Sequence, residues 1–152
     1  MSELKFWIKK IEVKKSQIHG WGVFAKESIQ QGEVFECSPV LRTHISRMMS
    51  VESMRNPGET VFDDYYFGIN DHGIPIAAMG WGYCSLYNHG IEPSAEVGFL
   101  QYENKVIGIE YTASRDINPG EEILVNYFGT TEEIEFKNED REKPLENLNF
   151  SV

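Results

Sequence analysis

Apolar and polar residues alternate along this chain in short runs. Turn signals close each run, and the three-to-four spacing of long helices is mostly missing. Ile11 and Val13, flanked by Glu12 and Lys14, predict a strand within residues 4–13. His19-Gly20-Trp21-Gly22 reads as a turn leading into a short buried strand, Val23-Phe24-Ala25. Gln31-Gly32 is a second turn before Val34-Phe35, and Pro39-Val40-Leu41 begins an edge strand. The aromatic run from Val61 to Ile69 predicts another strand. Asn70-Asp71-His72-Gly73 then turns into an edge segment, Ile74-Pro75-Ile76. Gly80 and Gly82 argue against a long regular element over Met79–Tyr87. Ala95–Tyr102 and Lys105–Ala113 form a hairpin turning at Glu103-Asn104, and a turn at Arg115–Gly120 precedes a final strand over Glu122–Tyr127. Helical spacing is confined to Ser46–Met54 and to Glu132–Asn138, where Thr130 and Glu133 form a capping box. The expectation is a mainly β fold, with short strands in several small sheets and few short helices.

A chain of 152 residues suits one domain with an adequate core. No apolar run approaches the ~18 residues of a membrane span, and the Lys-rich start lacks the apolar centre of a signal peptide. The expected location is therefore the cytoplasm, or a host nucleus if the source is a parasite or virus. Cys37 and Cys84 lie in no C-x-x-C pair, so buried reduced thiols are expected. Two Cys and four scattered His supply no evident metal site. The net charge is −10, yet residues 1–15 carry +3, which leaves −13 on the rest. Such a surface repels nucleic acid and attracts basic partners.

Three segments carry candidate chemistry. Glycines on both sides of Trp21 permit close approach to the backbone. Tyr87-Asn88-His89-Gly90 is a polar knot between apolar stretches. Gly120-Glu121-Glu122-Ile123-Leu124-Val125-Asn126-Tyr127 is a turn and strand ending on a polar pair. In this order the segments resemble the motifs of SET-domain lysine methyltransferases. His19-Gly20-Trp21-Gly22-Val23-Phe24-Ala25 is similar to the family's first motif. Asn88-His89, with Pro93 following, is similar to the third, usually Asn-His-Ser-Cys with a Pro after one further residue. Asp116 to Tyr127 is similar to the fourth, usually Gly-Glu-Glu-Leu-x-x-Asp-Tyr. The resemblance spans roughly residues 10–130.

The resemblance implies a pseudoknot, in which the Asn-His and Asn-Tyr segments meet with one threaded through a loop made by the other. It implies S-adenosylmethionine as cofactor, held by Gly20, Trp21, Gly22, Asn88, His89 and Tyr127. It assigns catalysis to Tyr127 and Tyr65, and a lysine channel to Tyr65, Tyr66, Val125 and Phe128. The implied substrate is a basic, lysine-rich protein, histone-like or ribosomal. Residues 1–130 would form the SET-like domain, and residues 131–152 an acidic tail whose short helix packs near the site. No cysteine-rich segment follows Tyr127, so this tail, through Phe136 or Phe150, or a second subunit in a homodimer, would close the channel. The chain departs from the family pattern at Gly90-Ile91 for Ser-Cys, Ser85 for a frequent Arg and Asn126 for Asp. Losing the Ser and Arg weakens the expected knot hydrogen bonds. Val125 stands where some members place a Phe or Tyr that limits methylation, which points to di- or trimethylation. An inactive SET-like module that binds a basic protein is the second reading.

Overall fold

The computed structural model describes residues 5–45, 66–71 and 73–127, in ten strands. The expected helices over Ser46–Met54 and Glu132–Asn138, the start of the aromatic run and the acidic tail lie outside these residues.

β1 (Trp7–Ile8) precedes a hairpin of β2 (Ile11–Lys15) and β3 (Trp21–Ala25), in which Ile11 faces Ala25 and Val13 faces Val23. The Ser16 hydroxyl accepts the Ile18 and His19 N–H groups at 2.9 and 3.3 Å and shapes the connecting loop. β4 (Val34–His44), β5 (Tyr66–Asp71), β6 (Ile74–Gly80), β8 (Ala95–Tyr102) and β9 (Lys105–Ala113) form the large sheet in the order β5-β6-β4-β9-β8, with β1 on β4.

Two segments read as edges prove central. Pro39 lies inside the single long strand β4, whose first half runs between β1 and β9 and whose second half pairs with β6. Proline has no N–H to donate, and it sits where β4 exchanges one partner strand for another. Ile74 opens β6, which lies between β5 and β4. The expected turn at Asn70–Gly73 also tightens: Asn70 and Asp71 stay in β5, and the Asn70 carboxamide oxygen accepts the Gly73 N–H at 2.8 Å. The β8–β9 hairpin turns at Glu103 and Asn104 as read, both with positive φ (47° and 61°), the conformation of a tight twisted hairpin turn.

The final strand is shorter than expected. β10 (Leu124–Val125) pairs in parallel with β7 (Asn88–His89), and residues 120–123 run beside β3 instead. Gly120 N–H bonds Ala25 O at 2.7 Å, and Ile123 N–H bonds Val23 O at 2.8 Å. Phe35, Tyr87, Tyr111, Ile29, Ile109 and Ile123 centre the core. Within it the Tyr87 and Tyr111 rings stack at 4.1 Å. Cys37 and Cys84 are buried free thiols, and burial pushes the Cys84 thiol up to about 12, which keeps it unreactive.

Candidate active site

The segment 120–125 runs past both other motifs. It leaves the flank of β3, which holds Trp21-Gly22, and enters the pairing with Asn88-His89. Three stretches spread over a hundred residues therefore share one surface.

Asn88 and Glu122 clamp the first motif. The Asn88 amide is 4 % exposed and donates to His19 O at 3.1 Å, Trp21 O at 3.2 Å and Glu122 Oε1 at 2.8 Å. The other Glu122 oxygen accepts the Ser16 hydroxyl at 2.9 Å. A Cβ on Gly22 would lie 2.2 Å from Glu122 Oε1, so this glycine is needed for the carboxylate above it. Gly20 differs: its φ is +48° and a Cβ there would meet nothing within 4 Å. With Trp21 exposed, the backbone at 20–21 is open on its outer side.

Gly90 packs against β10, where a Cβ would approach Leu124 Cδ1 to 2.8 Å. The larger residue of the family pattern would not fit this packing. Hydrogen bonds expected to weaken with its loss come from elsewhere. Buried Ser94 accepts the Leu124 N–H on its hydroxyl at 3.1 Å and donates its own N–H to Leu124 O at 3.0 Å, while Gly90 N–H bonds Val125 O at 3.0 Å.

Tyr127 follows at the end of the knot. Its hydroxyl donates to Tyr87 O at 2.5 Å, and its N–H donates to His89 Nδ1 at 3.2 Å. The accepting Nδ1 carries no proton, so the ring proton of neutral His89 sits on Nε2. The two rings meet edge to face at 5.4 Å. Tyr127 is partly open to solvent, whereas Tyr87 beneath it is buried. The phenol oxygen and the carbonyls of Tyr87, His19 and Trp21 give this surface a concentration of acceptors.

The expected residues Gly20, Trp21, Gly22, Asn88, His89 and Tyr127 thus converge. Val125 is buried in the core cluster beside the knot. Tyr66 lies half-buried on edge strand β5 opposite Met79, and its neighbour Phe67 packs against the core. Tyr66 therefore points to the other face of the sheet. Tyr65 and Phe128 lie outside the described residues. Ser16, Glu122, Ser94 and Tyr87 were not singled out as site residues. Glu122 stood inside a quoted motif, but no spacing rule links it to Ser16 across 106 residues. Among the described residues, no three His, Cys, Asp or Glu are placed to hold a metal ion.

The sequence profile of the SET domain matches residues 20–128. The chain belongs to the SET-domain family. A histone-lysine N-methyltransferase of Schizosaccharomyces pombe, described as H3 lysine-37 specific, is 28 % identical over 92 % of this chain and 94 % of its own length. Histone-lysine N-methyltransferase set1 of Dictyostelium discoideum is 30 % identical over 88 % of this chain but only 9 % of its own length. The first curated relatives resemble the latter: this SET domain spans 8 %, 2 % and 9 % of their lengths. Among solved structures, the Chaetomium thermophilum Polycomb Repressive Complex 2 bound to S-adenosylmethionine matches with a TM-score of 0.67. It is 25 % identical over 80 % of this chain and 15 % of that one. A Plasmodium falciparum protein matches with a TM-score of 0.60 at 25 % identity, over 80 % of this chain and 96 % of its own. The short strands and small sheets are thus those of the SET fold.

Proposed function

We propose that this SET domain transfers a methyl group from S-adenosylmethionine to the side-chain amine of a lysine in a basic, histone-like protein. The observation that carries this reading is the position of Tyr127: its hydroxyl is fixed on a backbone carbonyl beside the Asn88-clamped first motif. The surface fits the cofactor in kind. The carbonyls of His19 and Trp21 suit an ammonium group, the open backbone at Gly20 leaves room for a ligand, and the Asn88-His89 segment borders both. Bound there, S-adenosylmethionine would supply an activated methyl group.

The residues of the chain then have mainly to position and desolvate. A lysine amine must be neutral to attack, and its ordinary pKa of about 10.4 makes that cost roughly 4–5 kcal/mol at pH 7. An apolar channel beside a cationic centre depresses that value. No strong protein base is required, and the motifs contain none. The Tyr127 oxygen and the Tyr87 carbonyl can accept weak C–H···O contacts where the reacting groups meet, and fixed geometry supplies the rest. Tyr65, Val125 and Phe128 would line the channel, Tyr66 being turned to the opposite face of β5, and the tail from 131 onward, or a second copy of the chain, would close it. The small Val125 side chain fits di- or trimethylation. The negative charge outside residues 1–15 favours a lysine-rich partner over nucleic acid, and the compartment proposed is the cytoplasm or, for a parasite or virus, a host nucleus. In the described residues no helix is long and apolar enough to cross a membrane.

Radiolabelled S-adenosylmethionine incubated with a panel of basic proteins tests the proposal, with wild type beside Tyr127→Phe. Label on lysine, reduced at least about 100-fold in the variant, is expected. No transfer to any member of the panel, together with no cofactor binding, would favour the non-catalytic module. Mass spectrometry of the product checks the methylation state, where monomethyl-lysine alone would refute the role given to Val125. Activity retained after truncation at Thr130 would remove the tail from the site.

A further inference from the structure

A buried carboxylate lies behind the candidate catalytic tyrosine. Glu36 is 0 % exposed near the start of β4. Its Oε1 accepts the Ser38 hydroxyl at 2.7 Å and the Tyr83 N–H at 2.8 Å, and its Oε2 accepts the Tyr87 phenol at 2.6 Å. Gly82 makes room for the group: a Cβ there would fall 2.2 Å from Ser38 Oγ and 2.6 Å from Glu36 Oε1. Both ends of the 82–87 segment are thereby tied to one carboxylate. Tyr87 is further held by its stack on Tyr111, and its own carbonyl receives the Tyr127 hydroxyl at 2.5 Å.

A buried carboxylate is a costly way to fill space, since an apolar residue of similar volume is often equally stabilising. Three directed donors give what an apolar side chain cannot, a fixed orientation for the segment that carries the Tyr87 carbonyl. We infer that Glu36, acting through Tyr87, is a positioning residue for Tyr127. It sets the acceptor that aims the Tyr127 phenol, and so it tunes the chemical step without touching substrate or cofactor. The catalytic half of this inference rests on the proposed methyl transfer, whereas the geometric half stands apart from it.

Tyr87→Phe cuts the link to Glu36 with little change in volume. Tyr111→Phe removes the hydroxyl of the neighbouring stacked ring, which bonds Cys84 O at 2.5 Å rather than Glu36. Two readings are taken on each variant. One is the ¹³Cζ resonance of Tyr127 in ring-labelled protein, assigned by its absence from Tyr127→Phe. The other is the split between kcat, KM and cofactor Kd. Tyr87→Phe is expected to move the Tyr127 resonance and to lower kcat by about 10- to 100-fold, with KM and cofactor Kd changed by less than about threefold. Tyr111→Phe is expected to lower thermal stability to a similar degree while leaving the resonance and kcat in place. An unmoved Tyr127 resonance in Tyr87→Phe, or an equal loss of kcat in both variants, overturns the inference. If wild type methylates none of the basic proteins, the proposed function fails, and the resonance alone still decides whether Tyr87 positions Tyr127.

Discussion

Gly22→Ala offers a test that turns on sign as well as size. Gly22 lies in β3 and its φ is not among the positive values. A strand glycine with ordinary φ would by itself gain roughly 0.5–1 kcal/mol on becoming alanine. The structure predicts the opposite. The new methyl would sit 2.2 Å from Glu122 Oε1, 2.9 Å from its Cδ and 3.1 Å from Ser16 Cβ, so Glu122 must turn away. Turning away breaks its bonds to Ser16 Oγ and Asn88 Nδ2, at 2.9 and 2.8 Å. Each hydrogen bond to a charged group contributes about 1.5–3 kcal/mol, and water can replace part of it at this partly buried site, so the low end applies. A net loss of about 2–3 kcal/mol follows, which for a domain of this size lowers Tm by roughly 4–12 °C. Thermal melting gives the stability, and calorimetry with S-adenosylmethionine should show weakened binding, because the His19 and Trp21 carbonyls lose their clamp. Combining Gly22→Ala with Glu122→Ala should cost less than the sum of the two, because the clash then has no partner. A Tm equal to or above wild type in Gly22→Ala would refute the clamp.

Three further expectations follow from the same geometry. Asn88→Asp exchanges two N–H donors for a carboxylate facing two carbonyls and Glu122, so calorimetry should show cofactor affinity at least about tenfold weaker, about 1.4 kcal/mol. Gly90→Ala forces a methyl against Leu124 and should cost about 1–3 kcal/mol in denaturant unfolding, with partial recovery when Leu124 is shortened to Ala. The Lys10 ammonium, 2.9 Å from Glu33, holds that carboxyl below its ordinary value of 4.5; slight burial opposes the shift, and the Gln30 N–H and Lys9 support it. A depressed carboxyl stabilises the fold above pH 4.5 and loses that contribution as pH falls through the folded value. Glu33→Gln should therefore melt lower than wild type at pH 7, by about 1 kcal/mol for an ion pair at this half-buried surface position, and the difference should vanish in acid.

What the sequence disclosed was local. The β8–β9 hairpin was legible because alternation runs unbroken on both sides of Glu103-Asn104, a pair that tolerates positive φ. The three motifs were legible because each sits in a continuous stretch. β4 was misread because Pro39 normally marks an edge, and no local signal says that a strand will exchange partners at that residue. Ile74-Pro75-Ile76 failed for the same reason: Pro75 suggested an edge, while β5 and β4 enclose the strand on both sides. The final strand read too long because Glu122 and Ile123 have strand character but pair with β3, two residues before the chain switches to β7. The Glu36 carboxylate escaped altogether, since a Glu beside Phe35 and Cys37 looks like the solvent side of a half-buried strand. Only the packing of the 82–87 segment makes it buried.

The contacts that build the site are therefore those the sequence could least foretell. Ser16 to Glu122 spans 106 residues, Asn88 to His19 spans 69 and Glu36 to Tyr87 spans 51. Such closures cost loop entropy before they return any bonding, so they cannot lead folding; the local β2–β3 and β8–β9 hairpins can. The clamp requires 120–125 to lie against both β3 and Asn88-His89, and the Tyr127 hydroxyl has as its acceptor the carbonyl of Tyr87, whose phenol bonds Glu36. The clamped first motif and the phenol thus depend on the same segment, 120–125. A lesion in it or against it, at Leu124, Gly22 or Gly90, should then disturb both together, whereas a lesion at Tyr87 should reach the phenol alone.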